Sequence, residues 1–269
     1  MREIDRAALG FGVTAGYGAE ILEPLAVELA RLGYESAWSN DTARPGSDGL
    51  ADLATMHRVA PGLRLGVGVV PLDRRPADVI AADVERLGLP LDRLRLGVGS
   101  GSEAKRPLAL VREGVGALRD RLPTVRIFVA ALGPRMTDLA AEIADGVLFN
   151  WATPERLATA RARLETSARR AGRDPSEIQV WSYVRTAVGA HARERLGREA
   201  ERYAEGAAYG RQFREMGVPF DRVGLAGDDV PAQLAPYRDV LDGAVVRALP
   251  AEPTFDALVD IARRAIVGF

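Results

Sequence analysis

The sequence predicts a (β/α)8 barrel, the closed parallel barrel of the TIM type, formed by one domain spanning residues 1–269. Short runs rich in Val, Ile, Leu and Gly alternate with longer segments of helical spacing, which is typical of repeated βα units. About eight runs are present, the number at which parallel strands close into a barrel. They lie at residues 8–13, 35–39, 63–70, 94–99, 125–131, 146–150, 179–188 and 243–249. An open doubly wound sheet is the second interpretation.

The segments between these runs carry helix signals. In the first, apolar residues at positions 21, 22, 25, 29 and 32 share one helical face, and Gly33 follows as a stop signal. Further signals are Pro76 at the start of a later helix, Thr153 as N-cap of the segment 154–171, and a break near Gly217 in the less regular region 191–237.

The composition limits the class of partner. The chain has 36 basic and 37 acidic residues, so it lacks the basic excess of nucleic-acid-binding proteins. It has no cysteine and two histidines, which excludes disulfides, thiolate chemistry and metal sites built from several imidazoles. No apolar run is long enough to span a membrane, and the first residues lack a signal-peptide core. We therefore expect a cytoplasmic protein that acts on a small molecule, without metal, nucleic acid or membrane.

In such a barrel the active site lies at the C-terminal ends of the strands. Asp41 follows the second run, where it is a candidate helix N-cap or a ligand contact. The third run is glycine-rich at residues 66–71, and the fourth ends in the small residues LGVGSGS at 96–102. The fifth run leads into Gly133, where the N-terminus of the next helix can hold a phosphate or carboxylate.

Five large side chains in the runs or directly after them have two interpretations each. Arg185 and Arg247 lie near the ends of the last two runs, where barrels often bind phosphate, or they pair with a carboxylate in the barrel wall. Trp38, Trp151 and Trp181 line an aromatic pocket or pack in the core. For each tryptophan alone, core packing is the favoured interpretation.

Several of these motifs occur together in one order: the segment 38–41, the glycine-rich run 66–76, LGVGSGS, then AALGP at 130–134 and ADGVLFNW at 144–151. In this order they resemble the luciferase-like monooxygenase superfamily, and within it most closely the F420-dependent oxidoreductases. The resemblance extends over most of the chain. It implies a TIM barrel with shortened insertions and a deazaflavin or flavin cofactor.

Carried over position by position, the resemblance implies that Asp41 contacts the cofactor and that Asn150 lines the substrate side. It places a non-proline cis peptide at Gly68 and Val69, behind the cofactor ring. The remaining positions that it assigns to cofactor binding are Ser100, Gly101, Ala131, Leu132, Gly133, Arg135 and Met136.

Two departures and one shortened connection narrow the activity. Sugar-phosphate dehydrogenases of this branch carry a histidine and a glutamate where this chain has Thr42 and Ser102, so we do not expect that activity. Relatives also carry a long insertion between the fourth and fifth strands, whereas residues 103–124 are all that lie there.

The resemblance implies an oxidoreductase that passes a hydride between F420 and a small organic substrate, with Ser102, Asp41 and Asn150 as candidates to orient substrate or relay a proton. The alternatives are an FMN-dependent monooxygenase of the same superfamily and a relative that binds cofactor without turnover. An unrelated phosphate-binding barrel enzyme ranks last, because the single lysine lies in a loop. A homodimer is compatible with the family.

Overall fold

The predicted barrel is present in the computed structural model, which describes residues 8–41 and 46–267. Eight parallel strands form a ring because β6 pairs with β7 and β9 pairs with both β7 and β1. The ring closes, so the open sheet is excluded. The strands of the ring are β1 (Ala8–Gly12), β2 (Ser36–Ser39), β3 (Arg64–Pro71), β4 (Leu94–Gly99), β5 (Arg126–Ala130), β6 (Gly146–Asn150), β7 (Gln179–Ala187) and β9 (Gly243–Ala248), and β8 (Leu225–Ala226) adds to the end of β7.

The helices surround the ring, and their ends use the signals in the sequence. Gly33 ends the first helix in the left-handed conformation at φ 87°, and Gly217 ends a later one at φ 64°. The Thr153 hydroxyl caps its helix by accepting from the Arg156 N–H at 3.4 Å. The helices are α1 (Ala19–Leu32), α2 (Gly49–Val59), α3 (Ala77–Arg86), α4 (Pro107–Arg121), α5 (Pro134–Ile143), α6 (Pro154–Arg170), α7 (Ala192–Ala204), α8 (Ala207–Met216), α9 (Val230–Arg238) and α10 (Phe255–Ile266).

Two connections differ in size. Between β4 and β5 lies the helix α4, as the short segment in the sequence predicts. Between β7 and β9 the chain forms α7, α8, the short strand β8 and α9, so the elaboration of this barrel follows its seventh strand. Within residues 8–41 and 46–267, no helix is both long and apolar enough to cross a membrane.

Aromatic rings fill the inside of the barrel. A Cβ atom at Gly66 would lie 2.2 Å from the Trp38 ring, and one at Gly243 would lie 2.2 Å from the Trp181 ring. These glycines are therefore needed to make room for the indoles. The cluster inside the barrel consists of Trp38, Phe128, Leu148, Trp181, Tyr183 and Val245. Trp151 is buried as well, in a second cluster with α7 and α8. All three tryptophans are core residues, so the aromatic-pocket interpretation is wrong.

An arginine is buried at the N-terminal end of the barrel, which we call the base. Arg95 is 6% exposed and its guanidinium lies 4.3 Å from the centre of the Trp181 ring. It donates two hydrogen bonds to the Glu35 carboxylate, at 2.7 and 2.9 Å. This fork-to-fork pair gives the buried cation a carboxylate partner, as buried charges require.

Candidate active site at the barrel mouth

The C-terminal ends of the strands form the opposite end of the barrel, which we call the mouth. On the β3 to β5 side the positions Gly68, Gly99 and Ala130 carry no large side chain. A Cβ atom at Gly99 would lie 3.2 Å from the Val69 side chain and 3.5 Å from Ala130 Cβ, so these strand ends are adjacent. We call this part the small-residue half of the mouth. Small residues at these positions let the three strand ends and their neighbouring side chains pack closely.

Strand β3 is irregular where it enters the mouth. Its register with β4 shifts between Val67 and Val70, and the Gly68–Val69 peptide bond is cis. This confirms the cis peptide that the resemblance implies. A Cβ atom at Gly68 would lie 2.6 Å from both the Tyr183 hydroxyl and a Leu148 methyl group, so glycine is required here by close approach.

The loops after β3 and β4 are joined through Asp73. Its carboxylate accepts a hydrogen bond from the Glu103 N–H at 2.9 Å. Gly101 has φ 81°, and a Cβ atom there would lie 1.8 Å from an Asp73 carboxylate oxygen. Ser102 is exposed and donates to the Glu103 carboxylate at 3.3 Å. Glycine at 101 therefore lets the two loops pack together.

The loop after β5 places a helix N-terminus near the mouth. Gly133 is the N-cap of α5 and has an extended conformation. No side chain caps this N-terminal end of the helix. Ala131 is buried and Leu132 partly so. Arg135 lines an outer groove between α4 and α5, and Met136 packs partly on the core. The backbone N–H groups at Gly133 are thus better placed for a ligand than these two side chains.

Several acidic side chains lie near the C-terminal end of β2. Asp41 is not the N-cap of α2, because the Asp48 carboxylate accepts from the N–H groups of Leu50 and Ala51 at 3.0 and 3.3 Å. Asp41 lies 3.8 Å from the Arg75 guanidinium, and partial burial raises its pKa. The ligand-contact interpretation of Asp41 therefore stays a prediction. Thr42 falls outside the described residues.

Sequence reasoning missed the most deeply placed carboxylate of this group. Asp52 is 8% exposed and accepts from the Ser39 hydroxyl at 3.0 Å and the Gly16 N–H at 3.3 Å. Burial raises the pKa of Asp52 to about 6. The available signal was its position: residue 52 lies in the same helical stripe as the buried residues 49, 50, 53 and 56.

The β6 to β9 side of the mouth is polar, and a hydrogen-bond network is built on Asn150. Its amide donates to the Tyr209 hydroxyl at 2.8 Å and accepts from the Arg185 guanidinium at 2.7 Å. The same guanidinium donates to the Tyr203 hydroxyl at 3.0 Å. The rings of Trp151 and Tyr203 flank it, at 4.8 and 5.2 Å. Tyr203 and Tyr209 come from α7 and α8, so this network fixes the two helices on the barrel.

A second arginine lies beside the first. Arg185 on β7 and Arg247 on β9 are register partners in the parallel ladder, and each is 3% exposed. Arg247 donates to the Ala248 carbonyl at 2.9 Å and to the Thr14 hydroxyl. Within the described part of the chain, no carboxylate oxygen lies within 4.0 Å of either guanidinium. The carboxylate pairing considered from the sequence is therefore not found.

The structure brings some predicted residues together and leaves others apart. Gly68, Val69 and Gly99 meet on the small-residue half, and Asn150 meets Arg185 on the other side. Among residues 8–41 and 46–267, no hydrogen bond or ion pair joins Asp41, Ser102 and Asn150 to one another. The same residues contain no group of three or more His, Asp or Glu side chains that could hold a metal ion.

Comparison with known proteins agrees with this architecture. The profile of the luciferase-like monooxygenases matches residues 111–248, just over half of the chain. The chain is 27% identical over 185 residues to a 5,10-methylenetetrahydromethanopterin reductase from Methanolobus tindarius, which covers 56% of both proteins. It thus spans about half the length of the curated relatives that it matches.

Solved structures match over nearly the full length. An F420-dependent secondary alcohol dehydrogenase in complex with an F420–acetone adduct is 16% identical, with a TM-score of 0.79 and coverage of 97% of this chain and 98% of that one. A monooxygenase from Streptomyces bottropensis is 18% identical, with a TM-score of 0.72 and the same coverage. At these identities the likeness concerns the fold. Together with the profile match, it confirms the resemblance seen in the motifs: the chain belongs to the luciferase-like monooxygenase family.

Proposed function

We propose that the chain is an oxidoreductase that binds the deazaflavin F420 and passes a hydride between it and a small organic substrate. The observation that carries the proposal is the small-residue half of the mouth, where Gly68, Gly99 and Ala130 leave the ends of three adjacent strands without large side chains. The sequence likeness to a 5,10-methylenetetrahydromethanopterin reductase and the fold likeness to an F420-dependent alcohol dehydrogenase support it.

The residues present fit a flat cofactor with an anionic tail. A planar ring can approach the backbone closely where the wall carries glycine and alanine. Gly133 is the N-cap of the ten-residue helix α5; its first residue, Pro134, has no N–H, and the N–H groups that follow have no side-chain cap. Such a helix end favours a phosphate through both hydrogen bonds and the helix dipole. Ser100 and Gly101 directly follow β4, which is the middle one of the three strands that form the wall.

When bound, F420 supplies the hydride chemistry itself. The chain then has to orient the substrate and hold or move a proton. In the proposal Asn150 keeps its amide toward the substrate side, and its hydrogen bonds to Arg185 and Tyr209 fix that amide in one orientation. Asp41, with a pKa raised by burial, is the candidate to hold a proton on its carboxylate. Ser102 remains a candidate on the exposed loop.

The second candidate function is an FMN-dependent monooxygenase. The fold likeness to the Streptomyces bottropensis monooxygenase favours it, and the small-residue half accommodates a flavin ring as well as a deazaflavin. A third candidate is a relative that binds cofactor without turnover.

Titration of the purified protein with F420 and, separately, FMN tests the proposal by fluorescence quenching. We expect F420 to bind at micromolar concentration and FMN more weakly. Ala130→Leu fills the small-residue half and should lower the F420 affinity at least tenfold, a loss of about 1.4 kcal/mol or more. Ala162→Leu is the matched control, because Ala162 is exposed on α6, outside the mouth.

Each other outcome has a defined meaning. Tight FMN binding with weak F420 binding would favour the monooxygenase. Tight F420 binding without hydride transfer across a broad panel of alcohols, aldehydes and ketones would favour the non-catalytic relative. If neither cofactor bound, the proposal would be withdrawn.

A further inference from the structure

Two buried arginines at the mouth carry charges with no carboxylate within 4.0 Å among residues 8–41 and 46–267. Arg185 and Arg247 are register partners on adjacent parallel strands, so their Cα atoms are about one strand spacing, roughly 4.8 Å, apart. Both are 3% exposed. Two like charges held side by side away from water are unfavourable unless an opposite charge joins them.

The polar groups that contact these guanidiniums are neutral. Arg185 donates to the Asn150 amide and the Tyr203 hydroxyl, and Arg247 donates to the Ala248 carbonyl and the Thr14 hydroxyl. The nearby carboxylate of Glu199 forms its hydrogen bond with Arg202 instead. No carboxylate of residues 8–41 and 46–267 lies within 4.0 Å of either arginine.

Donor groups remain available on both side chains. A guanidinium has five N–H groups, and the hydrogen bonds above use two on each arginine. The Arg185 Nε atom is buried and has no hydrogen-bond partner. Arg95 Nε at the base is buried without a partner as well, so Arg185 differs from Arg95 in having no carboxylate partner among the described residues. Burial and the neighbouring Arg185 also lower the pKa of Arg247 to about 10, which an anion would reverse.

Gly12, at the end of β1, faces Arg247 and the interior side chains next to it. A Cβ atom on Gly12 would lie 2.9 Å from a Val245 methyl group, 3.1 Å from the Tyr183 ring and 3.4 Å from Arg247 Cδ. The two arginines therefore face the inside of the barrel mouth, on the β7 to β9 side. The small-residue half, where the cofactor ring is proposed, is formed by β3, β4 and β5 on another part of the ring.

We propose that Arg185 and Arg247 form an oxyanion-binding subsite, and that the substrate of the barrel carries a phosphate or carboxylate group that binds there. Two adjacent guanidinium forks present several N–H donors in the geometry that phosphate and carboxylate oxygens accept. The anion would supply the charge that the described residues lack. The subsite stands on the geometry alone, whereas its assignment to a substrate rests on the proposed function.

The subsite is tested on protein to which no cofactor has been added, so the result does not depend on cofactor binding. Inorganic phosphate and acetate are titrated at constant ionic strength, by calorimetry and by the shift in Tm. We expect saturable binding of at least one of them with Kd at or below about 10 mM, and a loss of at least tenfold in affinity in Arg247→Met. Phosphate alone would indicate a phosphorylated substrate, and acetate a carboxylic acid.

Two further variants separate binding from folding. Arg95→Met removes a buried arginine that already has a carboxylate partner, so it should lower Tm and leave the anion affinity unchanged. Arg247→Met removes one of two uncompensated charges, so its Tm without anion should equal or exceed that of the parent. Arg247→Lys keeps the charge without the fork and should lose less affinity than Arg247→Met.

Three results would overturn the proposal. The first is no saturable effect of either anion up to about 50 mM, well above the weakest affinity of interest. The second is unchanged affinity in Arg247→Met. The third is competition between phosphate and F420 or FMN, which would assign the arginines to the phosphate of the cofactor instead of the substrate. Failure to bind either cofactor, in contrast, would overturn the proposed function while leaving the anion titration interpretable.

Discussion

The base and the mouth of this barrel both contain buried arginines, but the two ends differ in the groups that pair with the guanidinium. At the base, the buried Arg95 is stacked on Trp181 and held by both oxygens of Glu35. At the mouth, two arginines of similar burial contact amides, hydroxyls and carbonyls. The arginine at the base therefore has a carboxylate partner within the fold, whereas among the described residues no carboxylate pairs with the arginines at the mouth. The difference separates residues that stabilise the barrel from residues available to a ligand.

The strongest test of this comparison is at the base. Glu35→Gln removes the negative charge opposite Arg95, and we expect a loss of about 3 kcal/mol in the free energy of unfolding because a buried cation loses its partner. Urea denaturation measures it. The control is Glu85→Gln, in an exposed pair with Arg121 at 2.9 Å, where a change below about 0.5 kcal/mol is expected. Equal losses at both positions would mean that the Arg95–Glu35 pair stabilises the fold no more than an exposed ion pair does.

A second test concerns the buried carboxylate behind β2. Asp52 has an ordinary pKa of 3.8 when unfolded and about 6 in the fold. Between these values the native state binds more protons than the unfolded state, so this group makes stability fall as pH rises. Asp52→Asn cannot ionise. Its stability relative to the parent should therefore rise by about 2 kcal/mol from pH 4 to pH 7, as followed by urea denaturation at each pH. A difference independent of pH would contradict the buried, protonated carboxyl.

A third test uses glycines in the same backbone conformation. Gly101 has φ 81°, with the Asp73 carboxylate where a Cβ atom would lie, whereas Gly88 has φ 64° and open space. Gly88→Ala should cost about 1 kcal/mol from its φ alone. Gly101→Ala should cost about 1–2 kcal/mol more, because Asp73 must also move and lose its bond to Glu103. Equal losses in thermal unfolding would show that the two mouth loops are not coupled.

The smallest expected effect is in the hydrogen-bond network around Asn150 at the mouth. Tyr209→Phe removes the hydroxyl that accepts from Asn150 and should cost about 1 kcal/mol. Tyr237→Phe is a suitable comparison, since that tyrosine is buried on α9, outside the Asn150 network. If the network fixes Asn150 for a substrate, Tyr209→Phe should raise KM, whereas Tyr237→Phe should leave KM unchanged. Unchanged KM would assign Asn150 a structural role.

Much of the fold was predictable because each strand begins or ends on a local signal. Seven of the eight barrel strands lie within the runs read from the sequence and β3 extends one residue beyond its run, to Pro71, and glycines such as Gly33 end helices as expected. The core role of the three tryptophans followed from burial statistics, but the glycines that admit them, such as Gly66 and Gly243, show their purpose only across strands. Such pairings depend on register, which single-strand patterns do not contain.

The site was predictable in position and less so in its contacts. The strand ends and the cis peptide at Gly68 followed from the family resemblance. Asp52 and the Tyr209–Asn150–Arg185 network did not, because their partners are between 13 and 59 residues away along the chain. The question of whether Arg185 and Arg247 pair with carboxylates required the folded barrel, since it depends on which side chains lie across the mouth.

The short strand β8 makes the region after β7 a separable module. Thr186 pairs with Leu225 and Ala187 with Ala226, so the chain that leaves β7 for α7 and α8 returns to the edge of the same strand. The two ends of this excursion are thus one strand spacing, about 4.8 Å, apart. Because β7 and β8 are parallel, the connection between them has to cross over, which takes about a dozen residues or more and is usually helical. Protein engineers can therefore exchange the helix pair for another helical crossover, but not for a tight turn, while the closed ring of strands keeps its connectivity.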